Sequence, residues 1–180
     1  MHGHDHIDLI TPVDATDHVL GPEHAPVTLV EYGDFECPTC KQAAPAVRLL
    51  LDRFAGRLRV AYRHFPLEGL HPHALNAALA AEAAAAQGRF WEMHDLLFEN
   101  QRHLKLKQLQ SYAGQLQLDL AQYTAAMDDQ IYLQRVREHM AGGERSGVRA
   151  TPGFFVNGVI HDVTFGLHEL TDAIEAALRG

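Results

Sequence analysis

Cysteine is scarce in this 180-residue chain: there are two, Cys37 and Cys40. A disulfide between them would close a loop of about four residues, where the chain-entropy gain is smallest, so the pair makes a poor structural staple. Basic charge is also in short supply, with 15 Lys and Arg against 23 Asp and Glu and a net charge of −8. That balance argues against nucleic acid or an anionic membrane as a partner. Long hydrophobic runs are missing as well. The most apolar stretch, AALAAEAAAA (residues 77–86), is alanine interrupted by Glu82 and does not make a membrane span. The N-terminal MHGHDHIDLITPVDATDH has neither a basic n-region nor an apolar h-region. As written it points to the cytoplasm; a periplasmic or other extracytoplasmic address follows if a leader has been removed.

What remains is the composition of an ordinary globular chain, 47% hydrophobic and 21% charged. Residues 1–20 read as an irregular arm, and HVLGPEHAP (residues 18–26) as a turn. VTLVEY (residues 27–32), rich in β-branched side chains, is a predicted strand with Glu31 near its end. From Lys41 the apolar positions Ala44, Val47, Leu50, Leu51 and Phe54 recur at helical spacing, with Gly56 as the stop and Pro45 as an internal kink. LRVAYRHF (residues 58–65) is a second strand, and strand, helix, strand in that order suggests a parallel βαβ unit. Residues 71–147 are helical in period throughout, with Pro72 expected in a first turn, Gly88 as a cap, and Asp119 and Asp128 or Asp129 as N-caps. GFFVNGVI (residues 153–160) and a segment beginning at His161 read as two strands around an Asn157-Gly158 turn, and LHELTDAIEAAL (residues 167–178) as a final amphipathic helix. The predicted architecture is α/β: a sheet domain over 21–70 and 148–180, interrupted by an all-helical insertion over 71–147.

CPTC opens a helix that follows a strand, and that placement has chemical meaning. The positive end of the helix dipole stabilises a thiolate, so Cys37 is expected to titrate below the free value of about 8.5 and to act as nucleophile. Cys40, one turn further in, is expected to be more buried and to resolve the mixed disulfide. Pro38 fits the first turn, and the Thr39 hydroxyl can donate toward the Cys37 sulfur. Asp34 and Glu36 oppose the thiolate and Lys41 assists it, but as exposed charges they are expected to be screened, leaving a moderate depression. The rival for CxxC is half a zinc site, with further ligands drawn from thirteen histidines. No second C-x-x-C or H-x-x-x-H stands at the required spacing, so no metal site is assigned. His64, His71 and His73 are read as capping or surface residues, HGHDH as part of the arm, and Phe90, Trp91 and Phe98 as core.

Four stretches in order, VTLVEYGDFECPTCKQAAP, RHFPL, HPHALNAALAAEAAAAQGRFWEMHDLLFENQ and GVRATPGFFVNG, resemble the DsbA-like branch of the thioredoxin superfamily. The likeness runs from about His18 to the C-terminus. It implies a thioredoxin fold with an inserted all-helical domain, and Pro45 matches a family proline five residues after the second cysteine. It also implies a cis-proline at Pro152, beside the cysteines in space, with the backbone of Ala150 and Thr151 free to pair with a substrate strand. Glu31 matches a family acid that moves protons for the buried cysteine. The implied function is thiol–disulfide exchange with protein thiols, with Cys37 as nucleophile, Cys40 as resolver and Pro38, Thr39 and Glu31 tuning them. No cofactor is implied. Its partners are protein thiols and disulfides and a redox protein that resets the pair, and the expected state is a monomer. Oxidase and reductase directions stay open. The alternative is a non-enzymatic peptide- or metal-binding module on the same fold.

Overall fold

The computed structural model describes residues 6–164 and 166–180; residues 1–5, with most of the HGHDH stretch, and Phe165 lie outside them. The chain forms two compact units. One holds the residues up to Gly33, Gln42–Arg63 and Ala141–Gly180; the other holds Asp34–Lys41 and His64–Met140.

The first unit is built on a five-stranded sheet. Its strands are β1 (His18–Leu20), β2 (Val27–Gly33), β3 (Leu58–His64), β4 (Gly153–Val156) and β5 (Val159–His161), in the spatial order β1-β3-β2-β4-β5. Side chains alternate across a strand, so Val27, Leu29 and Glu31 share one face of β2. Val27 and Leu29 join Leu58 and Val60 of β3 and Phe154 and Val156 of β4 in a core cluster. Two helices complete it: α1 (Pro38–Arg53) through Ala43, Val47, Leu50 and Phe54, and α7 (His168–Arg179) through Leu170 and Ile174. The buried row of α1 therefore runs through Ala43, one position before the expected Ala44. The helix carries Pro45 internally, on an exposed position.

Two expectations for this unit are corrected. The arm is not irregular as far as residue 20: His18, Val19 and Leu20 pair antiparallel with Tyr62, Ala61 and Val60. Three residues are too few to show a period, yet they satisfy an edge of β3 that would otherwise be unpaired. The last strand begins at Val159, not at His161, because a two-residue turn sets Val159 directly opposite Val156. Asn157 and Gly158 both take positive φ, 46° and 84°, as a tight hairpin turn requires.

The rest of the arm is tied down on the opposite sheet face by Arg63. Its guanidinium donates to both carboxylate oxygens of Asp17 at 2.8 and 3.0 Å, to the carbonyls of Thr11 and Pro12, and to the Tyr32 hydroxyl. All five N–H groups of the fork are thus engaged. Arg63 and Asp17 are both nearly inaccessible, with side chains 4% and 5% exposed.

The second unit contains α2 (Ala74–Ala85), α3 (Phe90–Glu99), α4 (Leu106–Gln115), α5 (Leu120–Asp128) and most of α6 (Leu133–Arg145). The alanine-rich α2 is apolar nearly all round and accordingly buried, packed on α3, α4 and α5. Its single acid, Glu82, is buried and paired with Arg135 of α6, with His64 Nε2 at 3.8 Å. Asp119 caps α5 by accepting the Gln122 N–H at 3.0 Å. Asp128 and Asp129 do not start α6 as expected: α5 runs through Asp128, Asp129 is its C-cap, and the chain turns at Gln130 with φ 48°. Pro72 falls ahead of α2, whose N-cap is His73. Among the described residues, no helix is long and apolar enough to cross a membrane.

Candidate active site

Cys37 and Cys40 both lie at the start of α1. Cys37 immediately precedes the helix; its carbonyl accepts the Lys41 N–H at 3.1 Å, so Pro38, Thr39 and Cys40 make up the first turn. The Thr39 hydroxyl lies 2.9 Å from Cys37 Sγ, in position to donate to a thiolate. Cys40 is wholly buried, and Cys37 is 6% exposed. The expected order of burial holds, although Cys37 itself is more enclosed than an openly presented thiol. Cys37 thus has the helix dipole at its sulfur and a hydroxyl donor beside it, both favouring the ionised form.

The turn that delivers Cys37 is held by residues far along the chain. Asp34, expected to be a screened surface charge, is buried at 1% exposure. Its carboxylate accepts the Glu36 N–H at 2.7 Å and the Leu67 N–H at 2.9 Å, and meets His71 Nδ1 at 2.8 Å. Its carbonyl accepts the Cys37 N–H at 3.1 Å. Glu36, also expected to be solvated, is half-buried and its carboxylate accepts the His73 N–H. Burial of a carboxylate demands such partners, and the loop after β3 supplies them.

His71, expected to be a capping or surface residue, is partly buried, with its side chain 21% exposed and its Nδ1 on the Asp34 carboxylate. Burial pulls its imidazole down, but the hydrogen bond and charge of Asp34, with the charges of Cys37 and Glu36, outweigh it and leave the pKa above the ordinary histidine value. His64 is not at the surface: it is wholly buried, stacked on His139 with ring centroids 5.5 Å apart. Phe35 packs against Phe98, His94 and His64 at centroid distances of 5.0, 5.8 and 6.0 Å. Phe90 and Phe98 are buried and Trp91 half-buried, so this aromatic set is core, as expected.

Gln101, a residue the sequence did not single out, spans the turn. Its amide nitrogen donates to the Phe35 carbonyl at 2.9 Å and the Cys37 carbonyl at 2.8 Å. Gln101→Ala is expected to cost about 1–2 kcal/mol, because two acceptors lose their donor. A lowered urea midpoint and faster hydrogen exchange of the amides of residues 36–41 would show it; unchanged exchange there would refute the clamp.

The remaining predicted site residues belong to the sheet unit. Glu31 is 3% exposed, on the core-facing side of β2 and in register with Phe154. The Thr151–Pro152 peptide bond is cis, and Ala150, Thr151 and Pro152 lead directly into β4. Since Tyr32 pairs with Gly153, Pro152 lies beside the end of β2, from which the chain runs on to Cys37.

Comparison with known proteins bears on this arrangement. A thioredoxin family model matches residues 14–176. Among solved structures, oxidised BdbD from Bacillus subtilis superposes with a TM-score of 0.83 at 25% identity, covering 91% of this chain and 94% of that one. A thioredoxin-like oxidoreductase from Silicibacter pomeroyi superposes with a TM-score of 0.82 at 28% identity, covering 93% and 95%. Among curated proteins, one named Na(+)/H(+) antiporter NhaA 1 from Salinispora arenicola is 49% identical over 175 residues. That match takes in 97% of this chain but 27% of the relative, so the chain spans about a quarter of the length of the curated relatives it matches.

Proposed function

Since this chain belongs to the thioredoxin family, and to its DsbA-like branch by fold, we propose that it is a thiol–disulfide oxidoreductase acting on protein thiols through Cys37 and Cys40. The observation that carries this is the Cys37 sulfur at the N-terminus of α1, 2.9 Å from the Thr39 hydroxyl, with the wholly buried Cys40 one turn behind it. A helix terminus and a hydroxyl donor make Cys37 the attacking thiolate, and burial reserves Cys40 for the intramolecular step. Pro38 fixes the first turn without needing a donor there. Ala150, Thr151 and Pro152 are assigned to binding the substrate chain, supported by the family likeness and by their place at the entry to β4, beside the end of β2. Glu31 is assigned to proton transfer for Cys40; a carboxylate buried at a strand end supports that role. No cofactor takes part in the reaction so proposed.

Cys40→Ser tests the proposal directly. Without a resolving thiol, Cys37 should hold its substrate as a mixed disulfide, visible as a reducible high-mass adduct on a non-reducing gel and absent from the Cys37→Ser, Cys40→Ser double variant. No adduct, or one of equal yield in the double variant, would sink the assignment. Identification of the trapped protein names the partner. The likeness to antiporter-named proteins supports looking first among membrane transporters for it.

The non-enzymatic alternative has one feature on its side. A groove of about 540 Å³ lined by His73, Asn76, Lys105, Leu106, Lys107 and Gln108 could seat an extended chain. Peptide binding unaffected by Cys37→Ser, without disulfide exchange in the wild type, would favour it.

A further inference from the structure

CPTC contains no cation. Cys37 nevertheless sits in a turn with two carboxylates, one of them buried and beyond the reach of solvent screening. Left alone, Asp34 and Glu36 would oppose a Cys37 thiolate more strongly than surface charges do. We propose that His71 is a positioning residue that acts through Cys37: anchored on Asp34, its imidazolium offsets the carboxylates of the turn and holds Cys37 as a thiolate. This deepens the thiol–disulfide reading and rests on it for its consequence, though not for its measurement.

The geometry is specific. His71 Nδ1 meets Asp34 Oδ2 at 2.8 Å, and the Asp34 carbonyl accepts the N–H of Cys37 at 3.1 Å. One residue thereby ties the imidazole to the backbone of the reactive cysteine. The His71 side chain is 21% exposed, so its proton exchanges with solvent. The charged groups facing it are Asp34, Glu36 and Cys37, and their charges favour its protonated form over the opposing effect of burial. Other charged groups stand on the same loop, on α6 and at the start of α4. Glu68, on the same loop, is paired with Arg137 of α6; the His73 N–H binds Glu36; and Lys105 and Lys107 of the α4 region line the groove beside His73.

The consequence is a redox direction that depends on pH. In oxidation of a substrate dithiol, the Cys37–Cys40 disulfide takes up two electrons while the two substrate thiols become a disulfide and release two protons. With Cys37 held as a thiolate, one proton is retained by Cys40 and the other goes to solvent. Stabilising this reduced form makes the pair a stronger oxidant. The advantage is present while His71 is protonated and is lost as pH rises through its raised pKa.

The test is the pH profile of Cys37 alkylation by iodoacetamide in the reduced protein, read by mass at the Cys37 peptide. His71→Gln keeps a hydrogen-bonding group and removes the charge. Its midpoint should rise by about one unit, giving about tenfold slower alkylation at acid pH. All profiles should converge above about pH 9, where the thiolate forms regardless, a convergence that misfolding would not produce. His71→Lys should keep the low midpoint. A tenfold change in the equilibrium corresponds to a potential about 30 mV less oxidising for His71→Gln. Coincident midpoints for wild type and His71→Gln would overturn the proposal, and so would a rise that His71→Lys shares. The wild type supplies a check without substitution: by reciprocity, alkylating Cys37 should lower the His71 pKa seen by NMR, and an unmoved titration would refute the coupling. None of these measurements uses a protein substrate, so failure of disulfide exchange and failure of the His71 role are read separately.

Discussion

Cys37→Ser is expected to abolish turnover in both insulin reduction and dithiol-peptide oxidation, a loss of about 10³-fold or more that leaves only the background rate. Serine is close in size, so the helix start and the Gln101 bonds to the turn remain available. What disappears is a thiol, which ionises far more readily than a hydroxyl and can form a bond to sulfur. The wholly buried Cys40 cannot substitute for it. Thermal unfolding of the variant should lie close to that of the wild type, which separates lost chemistry from lost structure. Activity within a few-fold of wild type, in a protein that still folds, would remove Cys37 from the mechanism.

The largest loss of stability is expected at Arg63. Arg63→Ala should cost about 3–5 kcal/mol, because it leaves the Asp17 carboxylate buried without its cation. For a chain of this size that corresponds to a drop in Tm of about 6–20 °C. The carbonyls of Thr11 and Pro12 lose their donor at the same time, so proteolysis should begin in the arm. Replacing the pair together, Arg63→Met with Asp17→Leu, should recover much of the loss, since an apolar pair pays no desolvation cost. If the single variant loses less than about 1 kcal/mol, the behaviour is that of a surface ion pair and the anchoring role falls.

The sheet, the helical insertion and the CPTC tetrapeptide were legible in sequence for separate reasons. Runs of β-branched and apolar residues mark β2 and β3, helical spacing of apolar positions marks α1 and α7, and Asn157-Gly158 announces its own turn. β1 was missed because three residues carry no period; only pairing with Tyr62, Ala61 and Val60 makes them a strand. The environment of Cys37 was hidden for a different reason. Asp34 and Glu36 were placed at the surface because acids usually are, and the sequence cannot show that Leu67, His71 and His73 come back to satisfy them. His71 was noticed but assigned the commoner fate of histidines, while His73 does take the capping position expected of it, at the start of α2. Gln101 carried no signal, since an amide that caps two carbonyls looks like any other polar loop residue.

The Asp34–Lys41 segment has a bearing on protein engineering. It belongs to the helical unit, while the chain on either side of it belongs to the sheet unit. Its polar contacts reach 33 residues downstream to Leu67, 37 to His71 and His73, and 64 and 66 to Gln101. CPTC is therefore not a portable tetrapeptide. Transplanted into another thioredoxin scaffold it would bring Cys37 and Thr39 but leave behind the imidazole, the buried acid's backbone donors and the amide clamp. A working graft has to carry residues 34–41 together with the chain from His64 through Gln101. Recombination between relatives should accordingly succeed at breakpoints that keep those segments together, and fail at breakpoints that part them.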